Sequence, residues 1–331
     1  MRIHYLPWGR QVDAVCQLWN QEVGSHFPMR ESLFQKNSMD DPNLLHDGSW
    51  IAWDETADRL AGFVISKSWQ DEIVQQAAIW HDPQTGWIQA LLVHHDYRGQ
   101  GIGSELIKRA EQALRRTGVA RIRLGSDLYH YFPGIPRDFT QAAEWFGRRG
   151  YRLGMEQHDL LADFTDLPDT PMPALSGATL RLMVPYDREA FLSFLRESFP
   201  GRWEYEGHRY FADGGSGREF LLLEKDRELI GFCRLNDAHS PVIAQNMYWS
   251  PLFGGAVGGI GPLGISEAAR GSGYGLAIVQ AAVHVLQKRG IRQIVIDWTE
   301  HVDFYAKLGF GVWKSYVLAD KEWQIIEDTT N

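Results

Sequence analysis

Cysteine is nearly absent from this 331-residue sequence: Cys16 and Cys233 stand 217 positions apart, with no CxxC pair and no Cys/His cluster. That excludes a disulfide framework and a structural zinc site, and no metal is expected. Long apolar runs are missing too. The most apolar stretch, GLAIVQAAVHVL, is interrupted by Gln280 and His284 and falls short of the ~18 residues a membrane helix needs. The opening MRIHYLPWGRQVD has no apolar signal core. A reducing cytoplasm is therefore the expected compartment, with no membrane partner. Positive charge is in deficit, since 33 Lys+Arg against 42 Asp+Glu leave a net −9. This argues against nucleic-acid binding through general electrostatics and permits a cationic substrate. Low complexity is absent, and 44% hydrophobic with 23% charged residues excludes a disordered chain.

What is present is a tandem repeat, the feature that decides the fold. The segment ALLVHHDYRGQGIGSELIKRAEQALRRTGVARIRLGSD at 90–127 has a counterpart, GPLGISEAARGSGYGLAIVQAAVHVLQKRGIRQIVIDW, at 261–298. Each reads as a short apolar strand, a turn to an Arg, a glycine-rich run, an amphipathic helix, and a second apolar strand ending in Asp. Arg98 to Asp127 is 29 positions and Arg270 to Asp297 is 27. Ile102, Leu106, Ala110, Ala113 and Leu114 form one helical stripe; Tyr274, Ile278, Ala282, Val285 and Leu286 form the other. Gly118 and Gly290 stand where a glycine cap ends each helix. AAEWFGRRGY and DFYAKLGF close the copies as short helices, and an 11-residue insertion containing YHYFPGIP precedes the first. TDLPDTPMPALSG at 165–177 reads as the linker. The spacing predicts domains at 1–164 and 178–331, each with the order β‑α‑α‑β‑β‑β‑α‑β‑α‑β.

A strand that turns through Arg and Gly into a helix presents unpaired backbone N–H groups at a positive helix end, which suits a phosphate or pyrophosphate. A dinucleotide fingerprint would need glycine at Ser104 or Leu276, and a triphosphate loop would need Gly-Lys-Ser/Thr. Neither is supplied, although the Asp at the end of each following strand is the feature a nicotinamide-binding oxidoreductase would share.

The pattern Val-x-x-x-x-Arg-Gly-x-Gly-x-Gly-x-x-Leu, running from Val93 to Leu106, resembles the acyl-CoA signature of the GNAT superfamily of N-acetyltransferases, and Ile265 to Ile278 repeats it with Ile for the last Leu. FYAKLGF resembles that family's second motif. The resemblance implies an α/β fold class: two tandem GNAT-like domains, each a mixed, largely antiparallel twisted sheet flanked by helices. It implies that backbone amides of Arg98, Gly99, Gln100, Gly101, Ile102 and Gly103, and of Arg270, Gly271, Ser272, Gly273, Tyr274 and Gly275, cradle the pyrophosphate of acetyl-CoA. Leu91 and Val93, with Leu263 and Ile265, would pair the pantetheine arm along a splayed strand edge. Tyr305 stands where the family keeps the tyrosine that protonates the departing thiolate, whereas the first copy has Phe146 there.

Asp127 and Asp297 end the strand beside the cofactor, where a base would deprotonate the attacking ammonium; as turn residues they would look the same. Tyr129, His130 and Tyr131, in the inserted loop, are candidates for substrate contact or for a plug. The stretch AQNMYWSPLFGGAVGG at 244–259 carries the same ambiguity. Both cysteines lie in apolar patterns and read as inert thiols, so direct transfer in a ternary complex is expected. The implied activity is an acetyl-CoA-dependent N-acetyltransferase acting on a small-molecule primary amine. The alternative is a non-catalytic acyl-CoA-binding module built from degenerate copies.

Overall fold

A computed structural model describes residues 2–9, 11–71 and 84–323. Its described residues form two compact units, one of 2–71, 84–157 and 316–323, the other of 158–315. The first unit runs β1 (Ile3–Pro7), α1 (Val12–Val23), α2 (Glu31–Phe34), β2 (Trp50–Asp54), β3 (Arg59–Lys67), β4 (Thr85–Val93), α3 (Ile102–Arg116), β5 (Arg121–Leu124), β6 (Ile135–Pro136) and α4 (Thr140–Gly147). After β7 (Arg152–Asp163) the same order returns, without a counterpart of the two-residue β6. It consists of β8 (Ala178–Leu182), α5 (Arg188–Ser198), α6 (Arg202–Ala212), β9 (Phe220–Lys225), β10 (Glu228–Asn236), β11 (Val257–Ile265), α7 (Tyr274–Lys288), β12 (Gln293–Thr299), α8 (Val302–Ala306) and β13 (Gly311–Glu322).

In both units three antiparallel pairings lead to one parallel step, β4 on β5 and β11 on β12, bridged by the amphipathic helix. The expected stripes are buried except at Val285, which is only partly covered. Leu106, Ala110 and Leu114 of α3 and Ile278, Ala282 and Leu286 of α7 are fully covered, each Leu or Ile contributing about 1.5–3 kcal/mol of burial. The helices stop where glycine permits a left-handed residue. Gly118 and Gly290 have φ of +86° and +80°, and the Ile291 amide returns to the Leu286 carbonyl at 3.0 Å, closing a Schellman turn with its apolar contact.

The closing strands are exchanged between the copies. Asp320–Glu322 of β13, at the end of the second repeat, pair antiparallel with Arg121–Arg123 of β5. Leu160–Asp163 of β7, at the end of the first, pair with Gln293–Ile296 of β12. The linker is not a free tether, since it is strapped to α7. Thr170 donates its amide to Gln287 Oε1 at 2.7 Å, Gln280 Nε2 donates to the Pro171 carbonyl at 2.9 Å, and Asp169 pairs with Lys288 and Arg292.

Candidate active site

Each parallel ladder is short, and what it leaves open forms the site. β4 keeps register with β5 only from Thr85↔Arg121 to Ile88↔Leu124, and β11 with β12 only from Val257↔Gln293 to Ile260↔Ile296. Beyond those pairs the strands part. Residues 89–93 and 261–265 then continue beside β3 and β10 alone, with one edge of backbone N–H and C=O groups turned toward the gap. Leu91, Val93, Leu263 and Ile265 lie on these free edges.

At the far end of each free edge lies the glycine turn. Arg98 Nε donates to the Val93 carbonyl at 3.0 Å and Arg270 Nε to that of Ile265 at 3.1 Å. The guanidinium thus caps its own strand in both copies. Gly99, Gly101, Gly271 and Gly273 have φ between +75° and +84°, a region that costs any L side chain strain. A Cβ on any of them would meet open space. The first helical bonds run from Glu105 to Gly101 and from Ala277 to Gly273, so the amides of Ile102, Gly103 and Ser104, and of Tyr274, Gly275 and Leu276, have no helical acceptor. Open glycines around orphaned N–H groups at a positive helix end fit the pyrophosphate of an acyl-CoA. Trp145 and Phe304 pack within 3.5 Å of where a Cβ on Gly103 and Gly275 would lie, so these two glycines seat the closing helix of each copy.

Ladder register also corrects the pairing of the two aspartates. Leu124 and Ile296 are the equivalent last residues, so Asp297 corresponds to Gly125 and Asp127 to Thr299. The backbone agrees: the next residues, Ser126 and Trp298, share a left-handed kink with φ of +59° and +45°. The 29-against-27 spacing is this two-residue offset.

In the second unit Asp297 lies at the mouth of the gap, its Oδ1 about as near to Gly261 as a van der Waals contact with a Cβ there would be, 3.6 Å. Burial, then the neighbouring carboxylates Asp159 and Glu206, push its pKa up to about 7, against a hydrogen bond from Asn246 Nδ2 at 2.9 Å. Asp159 accepts the amide of the kinked Trp298 at 3.1 Å. Tyr305 on α8 is buried beside Cys233 and Asp297; burial foremost raises its pKa and keeps the phenol protonated. Cys233 is buried as a neutral thiol, and burial lifts the Cys16 thiol to about 12. Neither is poised as a nucleophile.

The first unit fills the corresponding space. Register places Lys67 where the second unit has Asn236, and Gln89 where it has Gly261. Lys67 Nζ is buried between Asp127 Oδ2 at 2.7 Å and Asp41 Oδ2 at 2.6 Å. Gln89 Nε2 donates to the carbonyls of Asn37 and Tyr129. Tyr131 is buried, its hydroxyl sharing a 2.7 Å bond with Ser38 Oγ, its ring stacked on Phe34 and edge-on to Trp19. His130 is likewise buried, its Nδ1 against the Asp127 carbonyl. Phe146, at the place of Tyr305, lies edge-on to Trp145 and Tyr151.

Sequence reading missed Lys67, Asn236, Asn246 and Asp159 as members of these sites. Gly259 and Gly261 inside an otherwise apolar strand were the available signal, since glycine there marks a close approach.

A sequence profile of the Acetyltransferase (GNAT) family matches residues 12–130 and 188–310. The chain is similar to the mycothiol acetyltransferase of Renibacterium salmoninarum, at 29% identity over 70% of this chain and 67% of that one. It is also similar to that of an Arthrobacter species, at 25% over 90% and 81%. Its fold is that of the GCN5-related glucosamine N-acetyltransferase region of a fungal multi-domain GH3 beta-N-acetylglucosaminidase. The TM-score is 0.84 at 24% identity, covering 96% of this chain and 38% of that enzyme. It is also that of a tandem GNAT protein from the clavulanic acid biosynthesis pathway, with a TM-score of 0.66 at 16% identity and coverage of 97% and 98%. Among the described residues no helix is long and apolar enough to cross a membrane.

Proposed function

The chain belongs to the acetyltransferase (GNAT) family, and from that premise we propose that its second repeat, 178–331, transfers the acetyl group of acetyl-CoA to a primary amine of a small molecule in the cytoplasm. The first repeat, 1–164, then binds acyl-CoA without turning it over. The observation that carries this division is the free β11 edge opening beside Asp297 and Tyr305, whereas the equivalent gap in the first repeat is filled by Lys67, Gln89 and Tyr131. Mycothiol, named in the two acetyltransferases the chain is similar to, supports a small-molecule acceptor.

Acetyl-CoA supplies the activated acyl group. The amides of Arg270 through Gly275 bind its pyrophosphate, and the edge from Gly261 to Ile265 aligns the pantetheine arm, presenting an N–H to the carbonyl oxygen where negative charge develops. Asp297 takes the proton of the acceptor ammonium, and a base with pKa near 7 suits that task at neutral pH. As the new C–N bond forms and the C–S bond breaks, Tyr305 gives its proton to the leaving thiolate, and the extra proton left on the acylated nitrogen passes to the phenolate and restores the phenol. In the first repeat Gly125 and Phe146 can perform neither transfer. Tyr129, His130 and Tyr131 serve there as the filler of the acceptor space, with Asp127 committed to Lys67.

Release of CoA thiol with acetyl-CoA and a panel of glucosamine, spermidine, tyramine and lysine amide tests this reading. Turnover that survives Gly101→Asp and vanishes with Gly273→Asp is expected. Turnover lost with Gly101→Asp alone would move the active site to the first repeat.

A further inference from the structure

The segment AQNMYW, read from sequence as either a specificity loop or packing, puts one side chain directly on the candidate base. Asn246 sits in a short 3₁₀ turn, Gln245–Met247, and is almost wholly buried. Its amide orientation is fixed by elimination. The Gly261 carbonyl can only accept, so the group Asn236 turns toward it, at 3.4 Å, is its Nδ2. The same Nδ2 donates to Asn246 Oδ1 at 3.1 Å. Asn246 must then offer its own Nδ2 outward, and it meets Asp297 Oδ1 at 2.9 Å. A backbone carbonyl of the free strand edge is thus connected through two buried amides to the carboxylate beside it.

The fit also explains a glycine. A Cβ on Gly259 would lie 1.9 Å from Asn246 Oδ1 and 2.3 Å from its Cγ, so Asn246 reaches Asp297 only because β11 has no side chain there. In the first unit the equivalent of Gly259 is Trp87.

We infer that Asn246 is a positioning residue: lodged against Gly259 and oriented by Asn236, it holds the Asp297 carboxylate at the mouth of the gap and favours its ionised form. The need for it follows from the surroundings. Asp159 from β7 and Glu206 from α6 both oppose a negative charge on Asp297, and the phenol of Tyr305 on α8, beside it, stays protonated. Glu206 is itself partly neutralised by Arg202, 2.7 Å away. Among the described residues Asn246 is the one side chain that donates to Asp297. This inference deepens the reading of Asp297 as base and rests on it only for its catalytic consequence.

The test measures Asp297 directly. The full chain is labelled with ¹³C at aspartate carboxyls, and the Asp297 resonance is assigned by its loss in Asp297→Asn. It is then titrated in the parent, Asn246→Ala, Asn246→Asp and Gly259→Ala proteins. The midpoint is expected to rise by about one pH unit in Asn246→Ala and Gly259→Ala. It should rise further in Asn246→Asp, which keeps the shape and replaces the donor by a carboxylate. Asn246→Ser, which restores a donor in a smaller volume, should recover part of the shift. The ascending limb of kcat/KM against pH, with acetyl-CoA and the best amine of the panel above, should move with the midpoint. Midpoints unmoved in folded Asn246→Ala and Asn246→Asp overturn the proposal. If the midpoint moves while the rate profile stays, the hold of Asn246 on Asp297 stands and the reading of Asp297 as base falls.

Discussion

Asp297 is half-buried beside two other carboxylates, and that placement acts in opposite directions on stability and on chemistry. Its folded pKa of about 7 lies above the ordinary carboxylate value of 3.8, so the folded chain binds the proton more tightly than the unfolded one. The stability this contributes is fully present below pH 4 and is lost as pH rises through 7. Asp297→Asn removes the titration while keeping an oxygen for Asn246. The variant should therefore match the parent in Tm near pH 4 and exceed it by a few degrees at pH 8, while acetyl transfer is abolished. A Tm difference that does not grow with pH would remove Asp297 as a titrating group. Tyr305 has a simpler expectation. Tyr305→Phe retains the ring that packs against Phe304 and Phe310 and loses only the proton. The kcat should fall by ~10²–10⁴, with acetyl-CoA affinity little changed by calorimetry. Full activity in this variant would assign the leaving-group proton elsewhere.

At the scale of the element, the turn between strand and helix is the part most plainly written in sequence, because a left-handed backbone leaves almost no choice but glycine. Gly99, Gly101, Gly271 and Gly273 all fall in that region, and both flanking arginines make the same strand cap. The two contributions at Gly273 separate by substitution. Gly273→Asn tolerates the left-handed conformation and adds no charge, so acetyl-CoA should still bind with somewhat weaker affinity. Gly273→Asp sets a carboxylate against the pyrophosphate and should remove one site from the calorimetric stoichiometry. Equal loss in both would mean that bulk, not charge, closes the cradle. Strand ends are less legible. Spacing paired Asp127 with Asp297, but the ladders end at Leu124 and Ile296, and nothing in ARIRLGSD or RQIVIDW marks which residue is the last to pair. Asn246 was harder still. It lies in a stretch without periodicity, and its partners Asn236 and Asp297 are 10 and 51 positions away. Only the glycine at 259 hinted at an approach.

At the scale of the whole molecule, the repeat and its β/α order followed from sequence, whereas the destination of the closing strands did not. RLGMEQHDLLAD and GVWKSYVLADKE are both 12-residue strands of similar alternation, and either would complete either sheet as far as pattern is concerned. The chain sends β13 back to β5 and β7 forward to β12. Arg121 of β5 pairs with Glu322 of β13, which fixes the first of these registers. Each repeat therefore depends on a strand encoded in the other. A cut in the linker, giving fragments 1–164 and 178–331, leaves the β5 edge bare in the first and the β12 edge bare in the second. Exposed apolar edges of this kind seek other strands. Expressed separately, each fragment should be insoluble or aggregate, and co-expression should restore a soluble pair that binds acetyl-CoA. The informative control removes only 311–331 from the full chain. This deletion leaves the glycine turn and the β11 edge of the second repeat in place, yet the order it takes away lies in the first. Hydrogen exchange should then show lost protection at Arg121–Leu124 more than at Gln293–Ile296, and equal loss at both strands would mean that the last strand serves the repeat that encodes it.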